Sequence, residues 1–173
     1  MKKQIIFTLI VLVSLRVYGQ NYDITSNSIG DISYDMTLEE IQKSYAKDRA
    51  IRSYEDDSLT IALLLLDEKG RPEMKITAFN KAHSKIDNIL VLSHMYKLQN
   101  GIGLGSTKGN LDAHFGTNLM FYGEGDDIVL SSDELGYIFT FHGRKEWRDN
   151  SGRLIPSLMD QETPFDTFEI AIY

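Results

Sequence analysis

The sequence predicts an α+β protein: two tandem helix-plus-four-strand modules forming one antiparallel-sheet domain, with the helices packed on one face. Three observations predict it. A hydroxyl residue opening a short apolar stripe at helical spacing occurs twice, seventy positions apart, at Thr37 and Thr107. Eight short runs have strand character, several with apolar and polar residues in alternation. These elements are grouped, one helix and then four strands, in each half of the chain.

The order begins with a leader. MKKQIIFTLIVLVSLRVYG sets Lys2 and Lys3 ahead of an apolar run from Ile5 to Leu15, with Val17 and Gly19 at small-residue cleavage positions. Residues 1–19 therefore read as a secretory signal peptide, with Gln20 the mature start. The run is shorter than the roughly 20 residues of a membrane span. Removing Lys2, Lys3 and Arg16 takes 18 basic residues to 15 against 25 acidic, a net charge of about −10. Such a chain repels nucleic acid and anionic lipid, so neither is an expected partner, and no membrane insertion follows cleavage. With no cysteine, thiolate nucleophiles, disulfides, lipid acylation and sulfur-ligated metals are excluded. The expected location is periplasmic or secreted.

The first module spans 20–99. Thr37 has Glu40 three residues on, the capping-box spacing, and Leu38, Ile41 and Tyr45 form one stripe. Strands follow at 50–55, 60–67, 74–79 and 88–96, the middle pair joined by the turn residues of DEKGRP. The second module spans 100–173. Thr107 and Asn110 repeat the cap, Leu111 and Phe115 the stripe, and Gly116 stops the helix. Strands follow at 118–123, 127–132, 136–142 and 165–173, with a long polar loop between the last two. Antiparallel pairing is expected throughout.

A shift of seventy lays ISYDMTLEEIQKSY over IGLGSTKGNLDAHF with the apolar positions in step. That correspondence decides how GIGLGSTKGNL at 101–111 is read. Its Lys108 follows Ser106 and Thr107, the reverse of a P-loop, and its glycines lack dinucleotide-fingerprint spacing. The segment is therefore a strand lead and helix cap, and no cofactor is implied.

The paired leads IGDISYDMTLEEI and GIGLGSTKGNL, each an extended entry into a short helix ahead of a β-meander, resemble bacterial secreted domains of the β-lactamase-inhibitory-protein-like fold. That group is similar to the small envelope-assembly lipoproteins of the SmpA/OmlA type, where one module carries a comparable lead. The resemblance implies a tandem module whose sheet offers a surface to other proteins.

Among sites of chemistry, His83, His94, His114 and His142 lack metal-ligand spacing, and the acidic tips at 124–127 and 131–134 lack a calcium-loop pattern. No metal and no catalytic constellation is expected; no G-x-S-x-G is present. The aromatics carry the remaining signal. Strand alternation places Phe79, Tyr96, Tyr122 and Tyr173 off the core, and Trp147 stands in the long loop beside Arg144 and Arg148. Aromatics and arginine dominate binding hot spots. Trp147 has a second reading, as a lid folded on the core. The expectation is a non-enzymatic envelope or secreted protein that binds another protein through the off-core sheet face and the 144–156 loop. The alternative is a small-molecule or glycan binder, with weak hydrolytic activity, using a cleft between the modules lined by His94 and His142.

Overall fold

The computed structural model describes residues 21–45, 50–55, 60–79, 85–124, 126–132 and 136–172. The leader, His83, the acidic tip at 133–134 and Tyr173 lie outside the described residues, as does the side chain of Phe79.

Three two-residue strands come first: β1 (Asp23–Ile24), β2 (Ser28–Ile29) and β3 (Ile32–Ser33). Helix α1 (Leu38–Tyr45) follows, and then β4 (Ile51–Glu55), β5 (Thr60–Leu66), β6 (Pro72–Phe79), β7 (Asn88–Val91) and β8 (Lys97–Leu98). Helix α2 (Lys108–Phe115) precedes β9 (Met120–Glu124), β10 (Asp127–Ser132), β11 (Tyr137–Phe141) and β12 (Thr167–Ala171). The protein is α+β, dominated by sheet.

Both helices start as their sequences dictate. The Thr37 N–H donates to Glu40 Oε2 at 2.8 Å, and the Glu40 N–H donates to Thr37 Oγ1 at 3.2 Å. Thr107 and Asn110 repeat the reciprocal pair at 2.9 and 3.3 Å. Two otherwise orphaned N–H groups are satisfied at each start. The buried stripe of α1 is Leu38, Ile41 and Tyr45; that of α2 is Lys108, Leu111 and Phe115. Lys108 is only 7% exposed, its ammonium paired with Asp112 at 2.5 Å and 5.8 Å from the centre of the Phe121 ring.

The large sheet has the order β4-β5-β6-β7-β12-β11-β10-β9, antiparallel at every pairing. Each meander runs inward from an outer edge, β4 or β9, to a shared centre where β7 pairs with β12. The small sheet, β3-β2-β1-β8, was not expected, and its β1–β8 pair is parallel, which corrects the expectation of antiparallel pairing throughout. Two-residue strands carry no alternation for a sequence reading to detect.

One face of the large sheet carries Leu63, Leu65, Met74, Ile76, Ile89 and Val91 in one half, and Phe139, Phe141, Phe168 and Ile170 in the other. The stripes of both helices and the isoleucines of the small sheet join the same buried cluster. Phe139 lies at its heart, stacked on Phe168 at 4.9 Å and tilted against Phe165 and Phe115. The hydroxyls of Tyr34 and Tyr137 both donate to the Thr25 carbonyl, at 3.1 and 3.3 Å, tying the small sheet to the large one. On the opposite face, Leu64, Lys75, Leu90, Glu169 and Ile138 form one lateral row across five strands. All five are half-buried, and none of the row's apolar members belongs to the core cluster.

The glycines of 101–111 shape the backbone. Gly101 has φ +84°, closing the turn in which the Leu98 N–H donates to the Ile102 carbonyl. A Cβ on Gly103 would stand 2.5 Å from the Tyr96 carbonyl oxygen. The N–H groups of Lys108 and Gly109 donate to the carbonyls of Thr163 and Gln161, both at 2.8 Å. The α2 amides that a phosphate would need are thus held by the chain itself.

Candidate functional site

Among the described residues β9 is the outer strand of the large sheet, paired with β10 alone. An edge strand has neighbours on one side only, and three consecutive large side chains stand open as a result: Met120 at 51%, Phe121 at 41% and Tyr122 at 43%. Beside them runs the loop that follows β11. Its Trp147 is 3% exposed and belongs to the core cluster, with the Arg144 guanidinium 5.2 Å from the ring centroid. Burial of that indole anchors the loop against the covered face of the sheet.

Beyond the anchor the chain doubles back. Arg148 bridges Leu154 in antiparallel fashion, and the Ile155 N–H donates to the Trp147 carbonyl at 2.7 Å. The turn is held by Asp149, whose Oδ1 accepts from the Ser151 hydroxyl and from the N–H groups of Ser151 and Arg153. Those donors, the Ser151 hydroxyl first, keep the Asp149 carboxyl below its ordinary range. Arg148 is fixed twice, through Nη2 to Asp126 Oδ1 at 2.6 Å and through Nη1 to the Gly152 carbonyl at 2.8 Å. The first of these bonds ties the loop to the β9–β10 hairpin.

Between edge strand and loop lies an open cleft of about 470 Å³. Phe121, Tyr122 and Gly123 form one wall, Arg148, Arg153 and Leu154 the other, and Ile128 reaches it between them. The cleft thus unites Tyr122 and Arg148, two residues singled out by sequence, with Phe121, Gly123, Arg153 and Leu154, which were not. Alternation along the strand selects Tyr122 alone; that β9 is an edge, which exposes its neighbours too, depends on pairing order.

Other expectations are corrected. Tyr96 is 1% exposed, its ring edge-on to Tyr22 at 5.2 Å and its hydroxyl 3.4 Å from Glu73 Oε2. The chain leaves the sheet at Leu92, so strand alternation does not apply as far as residue 96. Trp147 is the lid of the second reading and not an exposed contact. Arg144 covers it and stays exposed. His94 stands in the turn after β7, Nδ1 2.7 Å from the Leu104 carbonyl oxygen; His142 lies just past β11, Nδ1 3.1 Å from Asp127 Oδ1. Each ring is engaged with a different neighbour, no described contact joins them, and neither lines the cleft. A second cleft, of about 350 Å³, lies beside α2 between Asn100 and His114. No group of three or more histidine, aspartate or glutamate side chains converges among the described residues.

No protein-family model matches the chain, and no curated protein sequence does. Among solved structures it is similar to the crystal structure of the uncharacterized protein yfeY from Escherichia coli, with a TM-score of 0.58 at 14% identity. The match covers 88% of this chain and 100% of the other. At that identity the likeness is one of fold.

Proposed function

We propose that this is a secreted or periplasmic, non-enzymatic protein that binds another protein at the rim of its large sheet, where β9 meets the 144–156 loop. The observation that carries the reading is the run of exposed Met120, Phe121 and Tyr122 beside Arg148 and Arg153. Fully burying a large apolar side chain contributes about 1.5–3 kcal/mol, and roughly half of that surface is still open on each of the three, which favours a covered state. Aromatics and arginines held on a rigid support are the usual anchors of interfaces.

The duplicated architecture belongs to the same reading. Thr37 bridges Lys85 and Thr107 bridges Pro164, each partner three residues ahead of the strand that closes its meander. Matching caps and matching bridges support descent from one repeated unit, as the β-lactamase-inhibitory-protein-like resemblance implies. In this reading the partner lies in the cell envelope or outside the cell, and the leader 1–19 is removed on export.

The test compares the wild-type chain with a Phe121→Ser, Tyr122→Ala double variant in affinity capture from envelope extract. The expected result is a specific partner whose recovery falls at least about tenfold in the variant, the equivalent of 1.4 kcal/mol, with the thermal midpoint unchanged. Equal recovery by a folded variant would contradict the reading. N-terminal sequencing of the exported protein is expected to begin at Gln20.

A further inference from the structure

We infer that the β9 edge is a strand-addition site: an extended peptide segment of the partner, bearing an apolar and an acidic side chain two residues apart, pairs with Met120–Glu124 as a ninth strand of the sheet. The inference rests on the protein-binding reading above and supplies the partner's chemistry.

Alternate residues of an edge strand direct their N–H and C=O groups away from the sheet, a template for another strand. Natural edges are guarded by charged side chains, lysine above all, by proline or by a bulge, and the one charge of β9 is Glu124 at its end. The opposite edge, β4, carries Arg52 within its five residues. From Met120 to Gly123, β9 has no charge and no proline, and it pairs with β10 in unbroken register. Of the two edges, β9 is the one left open to pairing.

The cleft supplies side-chain recognition. Register places Phe121 opposite Leu130 and Gly123 opposite Ile128, so both face the covered side of the sheet. Gly123 leaves a gap there: a Cβ built on it would meet nothing closer than the Asp127 carbonyl oxygen at 3.9 Å. Beside that gap an apolar side chain of the added strand meets Leu154, which is partly buried and lines the cleft. Arg153 stands on the far wall, exposed, its charge felt by the Asp149 carboxyl of the same turn. Its backbone N–H donates to Asp149 Oδ1, which fixes where the side chain leaves the loop. Residues 144–153 hold four basic side chains against two acidic ones, in a chain whose net charge is −7. A carboxylate is the complementary group.

Charge also argues against a second copy of this chain as the occupant. A two-fold β9–β9 pairing brings like patch to like patch, setting the two arginine-bearing loops together between two acidic bodies.

The test uses protein purified from cells expressing the full chain, and labelled synthetic peptides of about six residues, the usual strand length. One sets valine and glutamate two residues apart, so that both face the cleft, one has lysine in place of that glutamate, and one is the glutamate peptide interrupted by proline. Binding is read by fluorescence anisotropy, and hydrogen exchange reads the β9 amides. The glutamate peptide is expected to bind and to slow exchange within 120–124, and the other two to bind at least about tenfold more weakly. Gly123→Val, which fills the gap on a backbone that accepts a side chain, is expected to abolish binding without lowering the thermal midpoint. Arg153→Glu is expected to reverse the preference towards the lysine peptide. Binding without protection of β9, equal binding of all three peptides, no binding at all, or dimerisation that Tyr122→Lys disrupts would each overturn strand addition. Should no peptide bind while the Phe121→Ser, Tyr122→Ala variant still loses its envelope partner, strand addition falls and the broader reading stands.

Discussion

Trp147 holds the loop in place. Its indole sits in the core with Arg144 over the ring, so Trp147→Ala is expected to cost about 3–5 kcal/mol through the cavity it leaves. Arg144→Ala, removing an exposed cation–π contact, is expected to cost no more than about 1 kcal/mol. Urea denaturation separates the two. Equal small losses would mean that the loop is not anchored there. At α1 the Thr37 N–H, then its hydroxyl, hold the Glu40 carboxyl below its ordinary value near 4.5. The unfolded chain therefore takes up that proton first as pH falls. The cap's contribution is complete above about pH 4.5 and is lost as pH drops through the lower folded value. Thr37→Val is expected to move the Glu40 titration, followed by carboxyl NMR, back towards 4.5. At this scale the sequence was informative where neighbours along the chain decide the outcome. The threonine caps and the exposure of Tyr122 were legible for that reason. Tyr96 was not, because its burial depends on where the chain turns out of the sheet after Val91.

Among the elements, the helices were the most legible. The two caps sit where their threonines predict, and both stripes are buried. Thr37→Ala and Thr107→Ala are each expected to cost about 1 kcal/mol, read as a shift in denaturation midpoint. The strands of the large sheet were found with their ends displaced by a few residues, since alternation marks the middle of a strand better than its limits. Two-residue strands such as β1 and β8 have no period at all. β9 shows what alternation leaves out. Its sequence gives two faces, but exposure of both requires knowing that no strand lies beyond it. Tyr122→Lys adds the guard that this edge lacks. Stability is expected to change by less than about 0.5 kcal/mol while strand-type binding is lost.

Across the whole molecule, the contact that makes one eight-stranded sheet from two meanders is β7 against β12, from Asn88 paired with Ala171 to Val91 paired with Phe168. Residues some eighty positions apart meet there, and no local pattern in either strand specifies it. That pairing sends β4 and β9 to opposite ends of the sheet, leaving Arg52 within one edge and the uncharged run Met120–Gly123 in the other. It also sets the loop of Trp147 against β9, so that a cleft forms where the sheet ends. The most direct measurement is site-specific photo-crosslinking in cells, with the reactive group placed at Tyr122 and, as the control edge, at Arg52. The expected result is a discrete crosslinked protein from Tyr122 that Gly123→Val removes, and none from Arg52. Crosslinks of equal yield from both edges, or from Arg52 alone, would contradict a binding site at β9.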